Sequence, residues 1–162
     1  MIVSWLKQSP AVIEKANEDM LPELARIHAQ SFSIGWGTSE LRALYAQKNT
    51  FFFVARSADT ARSPEPLGFL IVRSAAGEAE VLTIGVSPNA RGNGIGRKLM
   101  EAGMFHLYSE RNSELFLEVD EANKPAVALY KNLGFVKVGE RKGYYSSSQG
   151  FGTALVMRCN LN

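Results

Sequence analysis

A chain of 162 residues, 46% hydrophobic and 21% charged, has the length and composition of one globular domain with one core, which excludes a disordered or low-complexity polymer. The formal net charge is +2 and the lysines and arginines are scattered, so nothing marks a nucleic-acid surface. The one cysteine, Cys159, excludes an internal disulfide or a cysteine-based metal cluster and suits a reducing compartment.

The N-terminal stretch Met1 to Lys7 is too short and wrongly flanked for a secretory signal, and no later apolar run is long enough to span a membrane. A cytoplasmic protein with no membrane partner is therefore expected. The first predicted helix is capped by Asp19 and places Leu21, Leu24, Ala25 and His28 on one face, with Pro22 tolerated in the first turn. A second, capped by Ser39, runs through Leu41, Leu44 and Tyr45. Two strands follow. Thr50 to Ala55 and Leu67 to Val72 are continuous apolar runs, as in strands buried on both faces. The polar segment Ser57 to Pro66 reads as the loop between them.

A turn at Gly77 leads into a strand from Ala79 to Val86, with Leu82, Ile84 and Val86 in alternation. A glycine-rich turn and a helix with Ile95, Leu99, Ala102 and Phe105 on one face come next. A strand from Leu115 to Val119 precedes a helix from about Asn123, in which Ala126, Leu129, Tyr130 and Leu133 lie together and Gly134 ends the last turn. Phe135 to Glu140 and Phe151 to Arg158 close the chain as an antiparallel pair, with a loop at Ser146 to Gly150. This order implies α/β or α+β layering around one mixed sheet in a single domain over residues 1–162.

The segment from Val86 to Gly96 carries the chemistry. It follows a strand and opens a helix. Gly92, Gly94 and Gly96 allow a tight turn with unobstructed backbone N–H groups, and Arg91 and Arg97 add formal charge. With the positive end of the helix dipole, this makes a pyrophosphate site; the plain alternative is a tight turn ending in a helix. No Lys-Ser/Thr pair stands where a nucleotide-triphosphate loop needs one, and the glycine spacing does not fit G-x-G-x-x-G.

Arg91-x-x-Gly94-x-Gly96, after a strand ending Ile84-Gly-Val-Ser-Pro88, resembles motif A of the GNAT acetyltransferase family. Leu117-Glu-Val119, Asn123, Ala128-Leu-Tyr130 and Gly134-Phe135 resemble its motif B. With Arg141, Tyr144-Tyr145 and the opening Ile27-His-Ala-Gln-Ser-Phe, the pattern is similar to the RimI group, which acetylates the N-terminal alanine of small-subunit ribosomal protein eighteen. The likeness runs from about Asp19 to Met157.

The resemblance implies the GNAT fold: a mixed, mostly antiparallel sheet of six to seven strands, splayed between its two central strands and flanked by about four helices. It implies acetyl-CoA as co-substrate, no metal, and a ribosomal-protein N-terminus as acceptor. The loop amides of Gly92, Asn93, Gly94, Ile95 and Gly96, with Arg91 and Arg97, would bind the CoA pyrophosphate. Backbone groups around Ile84 and Val86 would meet the pantetheine arm, and Asn123 would touch that arm or cap its helix. Gly85 suits a bending strand or close packing.

Glu118 matches the general base, since a protonated amine has no lone pair with which to attack a thioester. Leu115, Leu117 and Val119 face one way, so Glu118 faces the other; a solvent-facing strand glutamate is the alternative. Tyr130 matches the acid that protonates the departing thiolate, and a core tyrosine is its alternative. Tyr144 and Tyr145, placed in the turn joining the last two strands, would cover the peptide N-terminus. Glu80, acting through water, is the fallback base. His28, His106 and Cys159 suit structural roles, and no cluster has metal-ligand spacing. Two other functions compete: an acetyltransferase for a small-molecule amine, and an acyl-CoA-binding module without catalysis.

Overall fold

The computed structural model describes residues 10–32, 35–59, 65–147 and 150–162, and the side chains of 144–151 lie outside what it describes. Among the described residues, seven strands and four α-helices follow one another as β1 (Ala11–Lys15), α1 (Leu21–Ser31), α2 (Thr38–Tyr45), β2 (Thr50–Ser57), β3 (Gly68–Ala75), β4 (Glu78–Val86), α3 (Ile95–Ser109), β5 (Glu114–Asp120), α4 (Lys124–Asn132), β6 (Val136–Ser147) and β7 (Gly150–Asn160). The strands form one sheet in the order β1-β2-β3-β4-β5-β7-β6. This is the mixed, mostly antiparallel α/β architecture expected. Two compact units make up the chain, Met1–Val72 with Thr83–Gly103, and Arg73–Leu82 with Met104–Asn162.

In the first unit, β1 pairs antiparallel with β2, Ala11 opposite Ser57 and Lys15 opposite Phe53. β1 was not expected from the sequence, because only Ala11 and Ile13 are even half-buried and its polar residues do not alternate cleanly. Leu21, Leu24 and Ile27 of α1 and Leu41 of α2 are fully buried. Ile27, rather than Ala25, completes the α1 stripe with His28. Neither expected cap forms. Asp19 lies in a 3-10 turn, Glu18–Met20, and Met20 takes the N-cap position of α1; Gly37 does so for α2, and Ser39 bonds Glu40 instead.

The alternation of β3 separates two helical layers. An added Cβ at Gly68 would lie 3.3 Å from both Ile95 and Leu99 of α3, and one at Gly103 would lie 2.5 Å from Leu70. Gly68, Leu70 and Val72 therefore face α3, while Phe69 faces α1. The buried line of α3 is Ile95, Leu99, Gly103 and Leu107, with Met100, so the expected Phe105 face is wrong. Phe105 is 73% exposed, because the helix approaches the sheet on the side where it has no side chain at all. Gly85 is a close-packing glycine: a Cβ there would meet Phe69 at 2.8 Å.

The second unit contains β5, α4, β6, β7, the turn end of the β3–β4 hairpin and the last part of α3. Ala76 and Gly77, both at positive φ, form the two-residue hairpin turn. β4 then runs parallel to β5, with Glu78, Ala79 and Glu80 opposite Glu114, Leu115 and Phe116. β7 lies antiparallel between β5 and β6. The turn from α3 to β5 is held by buried Asn112, whose amide donates to the Leu107 carbonyl at 3.0 Å and whose Oδ1 accepts from Ser74 at 2.7 Å. Cys159 is buried, and burial pushes its thiol up from the ordinary value, as a structural cysteine requires. β6 runs on to Ser147, so Tyr144 and Tyr145 belong to a strand, not to the turn expected of them.

His28 is a buried titratable group of the first unit. It stacks on Phe32 (4.4 Å), Trp36 (5.0 Å) and Phe69 (6.0 Å), and its Nδ1 accepts the Trp36 backbone N–H at 2.9 Å. Burial pushes the imidazole below its ordinary 6.5. The unfolded chain therefore binds this proton more readily than the folded one. The stability it contributes is complete above pH 6.5 and is lost as pH falls through that value. The urea midpoint should accordingly drop between about pH 7.5 and 5.5, and His28→Gln should flatten that dependence. An identical slope in the variant would remove His28 as its source.

Candidate active site

The glycine-rich loop leaves β4 through a 3-10 turn, Pro88–Ala90, and enters α3 at Ile95. Gly92 (φ +79°) and Gly94 (φ +75°) occupy the left-handed region, where a side chain is strained, and a Cβ on either would meet nothing within 4 Å. The loop is therefore conformationally specified and open, as backbone approach by a ligand needs. Its frame is internal. The Asn93 amide donates to the Ala90 carbonyl at 3.1 Å, and the Gly94 carbonyl accepts the Lys98 N–H at 3.1 Å, closing the first turn of α3. Ile95 is buried as the anchor, while Gly92, Asn93, Gly94 and Arg97 are exposed.

Arg91 reaches back rather than outward. Its Nε donates to the Val86 carbonyl at 3.0 Å and its Nη2 to Ser31 Oγ at 3.4 Å. Of the backbone groups around Ile84 and Val86 expected to meet the pantetheine arm, the Val86 carbonyl is thus engaged by Arg91. Ser31, which the sequence reading did not single out, donates in turn to the Ile27 carbonyl at 2.9 Å and so joins the loop to the end of α1. Arg97 forms an exposed pair with Glu101 at 3.6 Å, a loose contact that leaves its charge beside the helix N-terminus. Ile84 and Val86 are half-buried on β4. Exposed amides, two positive-φ glycines, a fifteen-residue helix start and two arginines fit a pyrophosphate.

The second unit holds the expected acid and base. Along β5, Leu115, Leu117 and Val119 are buried, and Glu118 is exposed on the opposite face. Its carboxylate pairs with Arg141 of β6, Nη2 to Oε1, at 3.0 Å. Arg141 had no assigned role in the sequence reading, because the partnership depends on strand register. Tyr130 is 6% exposed in α4, its ring edge-on to Phe135 at 5.8 Å, and the Phe135 N–H donates to the Tyr130 carbonyl at 3.0 Å. Asn123 caps α4, its side chain accepting the Ala126 N–H at 3.3 Å. Capping is thus its observed task.

Glu80, the fallback base, is paired with Arg73 across the β3–β4 hairpin, its Oε1 accepting from both Nε (2.9 Å) and Nη2. The side chains of Tyr144 and Tyr145 lie outside the described residues; their backbone belongs to β6, with Tyr145 opposite Gly152 and an irregularity between Arg141 and Tyr145. Among the described residues, no group of three His, Cys, Asp or Glu could hold a metal ion, and no helix is long and apolar enough to cross a membrane.

The chain is similar to known acetyltransferases. It is 27% identical over 137 residues to the [ribosomal protein bS18]-alanine N-acetyltransferase of Escherichia coli K12, covering 85% of this chain and 88% of that one. A shorter match, 50% identical over 58 residues, is to mycothiol acetyltransferase of Thermobispora bispora; it takes in 36% of this chain and spans 20% of that protein's length. The fold superposes on the crystal structure of the E. coli ribosomal-protein-S18-alanine N-acetyltransferase with a TM-score of 0.85 at 24% identity, covering 94% of this chain and 95% of that one. The model of the acetyltransferase (GNAT) family matches residues 21–135, from the first residue of α1 to the residue before β6 and through parts of both units. The chain belongs to the GNAT acetyltransferase family.

Proposed function

We propose that this chain works as a single GNAT domain that transfers acetyl from acetyl-CoA to the α-amine of a protein N-terminus, the N-terminal alanine of small-subunit ribosomal protein eighteen in particular. The observation that carries the acceptor class is the likeness to an alanine N-acetyltransferase along nearly the whole of both chains. Membership of the family supports acetyl-CoA as the donor. In this reading the amides from Gly92 to Gly96, with Arg91 and Arg97, hold the pyrophosphate, Ile84, Val86 and Asn123 meet the pantetheine arm, and Tyr144 and Tyr145 contact the acceptor.

Bound acetyl-CoA supplies the thioester carbonyl. Glu118 takes a proton from the acceptor ammonium, freeing the nitrogen lone pair to form the amide bond. As the carbon–sulfur bond breaks, the Tyr130 hydroxyl gives its proton to the leaving thiolate, the nitrogen sheds its second proton to water as the amide forms, and the phenolate and the Glu118 carboxyl return to their starting states by exchange with solvent. A phenol of pKa about 10 is matched closely enough to a thiol near ~8.5 for that transfer inside a hydrogen bond. One carboxylate suffices for an α-amine, whose pKa is about 7.7–8.0, because roughly a tenth is already neutral at pH 7. A lysine amine, near ~10.4, would need about 3.5 kcal/mol more to reach the same neutral fraction. The short match to mycothiol acetyltransferase is the observation that favours a second reading, a small-molecule acceptor.

Three measurements test this reading. Gly94→Val should weaken acetyl-CoA binding in calorimetry, since the side chain strains a φ of +75° and covers an open amide; unchanged affinity would remove the loop from the cofactor site. Glu118→Gln and Tyr130→Phe should each lower kcat by about 10²–10⁴ with acetyl-CoA affinity retained. Near-full turnover in either variant would strip that residue of its role. A peptide carrying the mature N-terminus of the ribosomal protein should be acetylated, while the same peptide with a blocked α-amine and free lysines should be inert. Equal rates on the two peptides, or activity confined to small amines, would leave the family assignment standing without the acceptor.

A further inference from the structure

The register of the second unit puts a cation where the base needs one. In the antiparallel ladders, Glu118 of β5 stands opposite Val156 of β7, and Asp120 stands opposite Ala154. On the far side of β7, Ala154 stands opposite Arg141 of β6. Residues directly opposite in a ladder project from the same face, and so do residues two apart on a strand. Arg141, Asp120 and Glu118 therefore share one face. Arg141 lies two strands, about 9–10 Å, from β5, a distance that an arginine side chain spans when nothing bulky intervenes. The residue in between is Ala154, whose methyl group leaves the path low.

Asp120 is directly in line with Arg141, yet the ion pair forms diagonally, with Glu118. The structure shows why. Asp120 Oδ1 accepts the Ala122 N–H at 2.9 Å, and its carbonyl accepts the Asn123 N–H at 2.9 Å, so it is occupied with the turn into α4. Glu140, next to Arg141 on the strand, projects from the other face and engages Lys137 at 2.8 Å and Lys142 at 3.9 Å. Each neighbouring carboxylate thus has its own partner, and Arg141 reaches Glu118 through Oε1.

We propose that Arg141 is a positioning residue for Glu118: by holding Oε1 it fixes the rotamer of the carboxylate and aims Oε2 at the acceptor amine. This rests on the reading of Glu118 as the base. A free glutamate on an open strand face would sample several rotamers, and only a fraction would place an oxygen within reach of the nitrogen. Arg141 touches neither substrate; it acts through Glu118.

Steady-state kinetics on the whole chain, with acetyl-CoA and the alanine-terminated peptide, test the proposal. Arg141→Ala should lower kcat by about tenfold to a hundredfold, with the acetyl-CoA KM unchanged within about twofold. Millimolar guanidinium should restore part of the loss in Arg141→Ala but not accelerate the wild type, whereas potassium chloride at equal ionic strength should do nothing. In the Glu118→Gln background, Arg141→Ala should cost little further, because residues acting as a unit are not additive. An undiminished kcat in Arg141→Ala, an absence of guanidinium rescue, or a full additional loss in the double variant overturns the proposal. If Glu118→Gln alone keeps wild-type turnover, the assignment of the base falls and this proposal with it. If Glu118→Gln is inactive while Arg141→Ala is normal, only the positioning role falls.

Discussion

The first unit depends on how closely α3 lies against the sheet. A helix seated over side chains is held off the sheet by their bulk, but Gly68 on β3 and Gly103 on α3 remove that bulk at the points of contact. Ile95 and Leu99 then reach backbone on β3, and a Cβ at Gly68 would come within 2.9 Å of the Gly85 carbonyl. The strand β4, its partner β3 and the first turn of α3 are thereby locked into one packing arrangement. The glycine-rich loop is the short link between the end of β4 and that first turn, so its two positive-φ residues follow from where its ends are held.

Charge in the loop is likewise tied to this frame. Arg91 is anchored to β4 and α1, leaving the exposed amides and Arg97 as the groups directed at solvent. That division separates shape from attraction: glycine geometry presents the N–H groups, the helix dipole sets the sign of the potential, and the arginines add long-range pull. The link through Ser31 also makes α1, with its buried His28 and stacked Trp36, mechanically continuous with the loop.

In the second unit the governing constraint is strand alternation. One face of β5 is committed to the core through Leu115, Leu117 and Val119, and Glu118 is the charged residue flanked by two of them. A carboxylate in that position is tethered to a rigid element on the side that stays accessible, which is what a positioned base requires. β7, with small Ala154 between β5 and β6, turns a sequence separation of more than twenty residues into a direct ion pair. The proposed acid and the cap share α4: Asn123 starts the helix and Tyr130 is buried in its last turn against Phe135.

Much of this was legible in the residues themselves. Glycine spacing after an apolar strand marks a turn of unusual φ, Asn123 and Gly134 bracket α4 by their own hydrogen-bonding and conformational chemistry, and the alternation of Leu115, Leu117 and Val119 exposes Glu118. These are local properties, decided by a residue and its few chain neighbours. The misreadings arose where several local answers were equally good. Asp19 and Ser39 are sound caps that the chain passes over for Met20 and Gly37, and Phe105 satisfies the helical period as well as the buried line does. Only the packed structure chose among them, because the choice depends on which side of α3 approaches the sheet. It alone decided that Arg73 takes Glu80 and Arg141 takes Glu118, since an ion pair between strands is set by register, and register is a property of the assembled sheet.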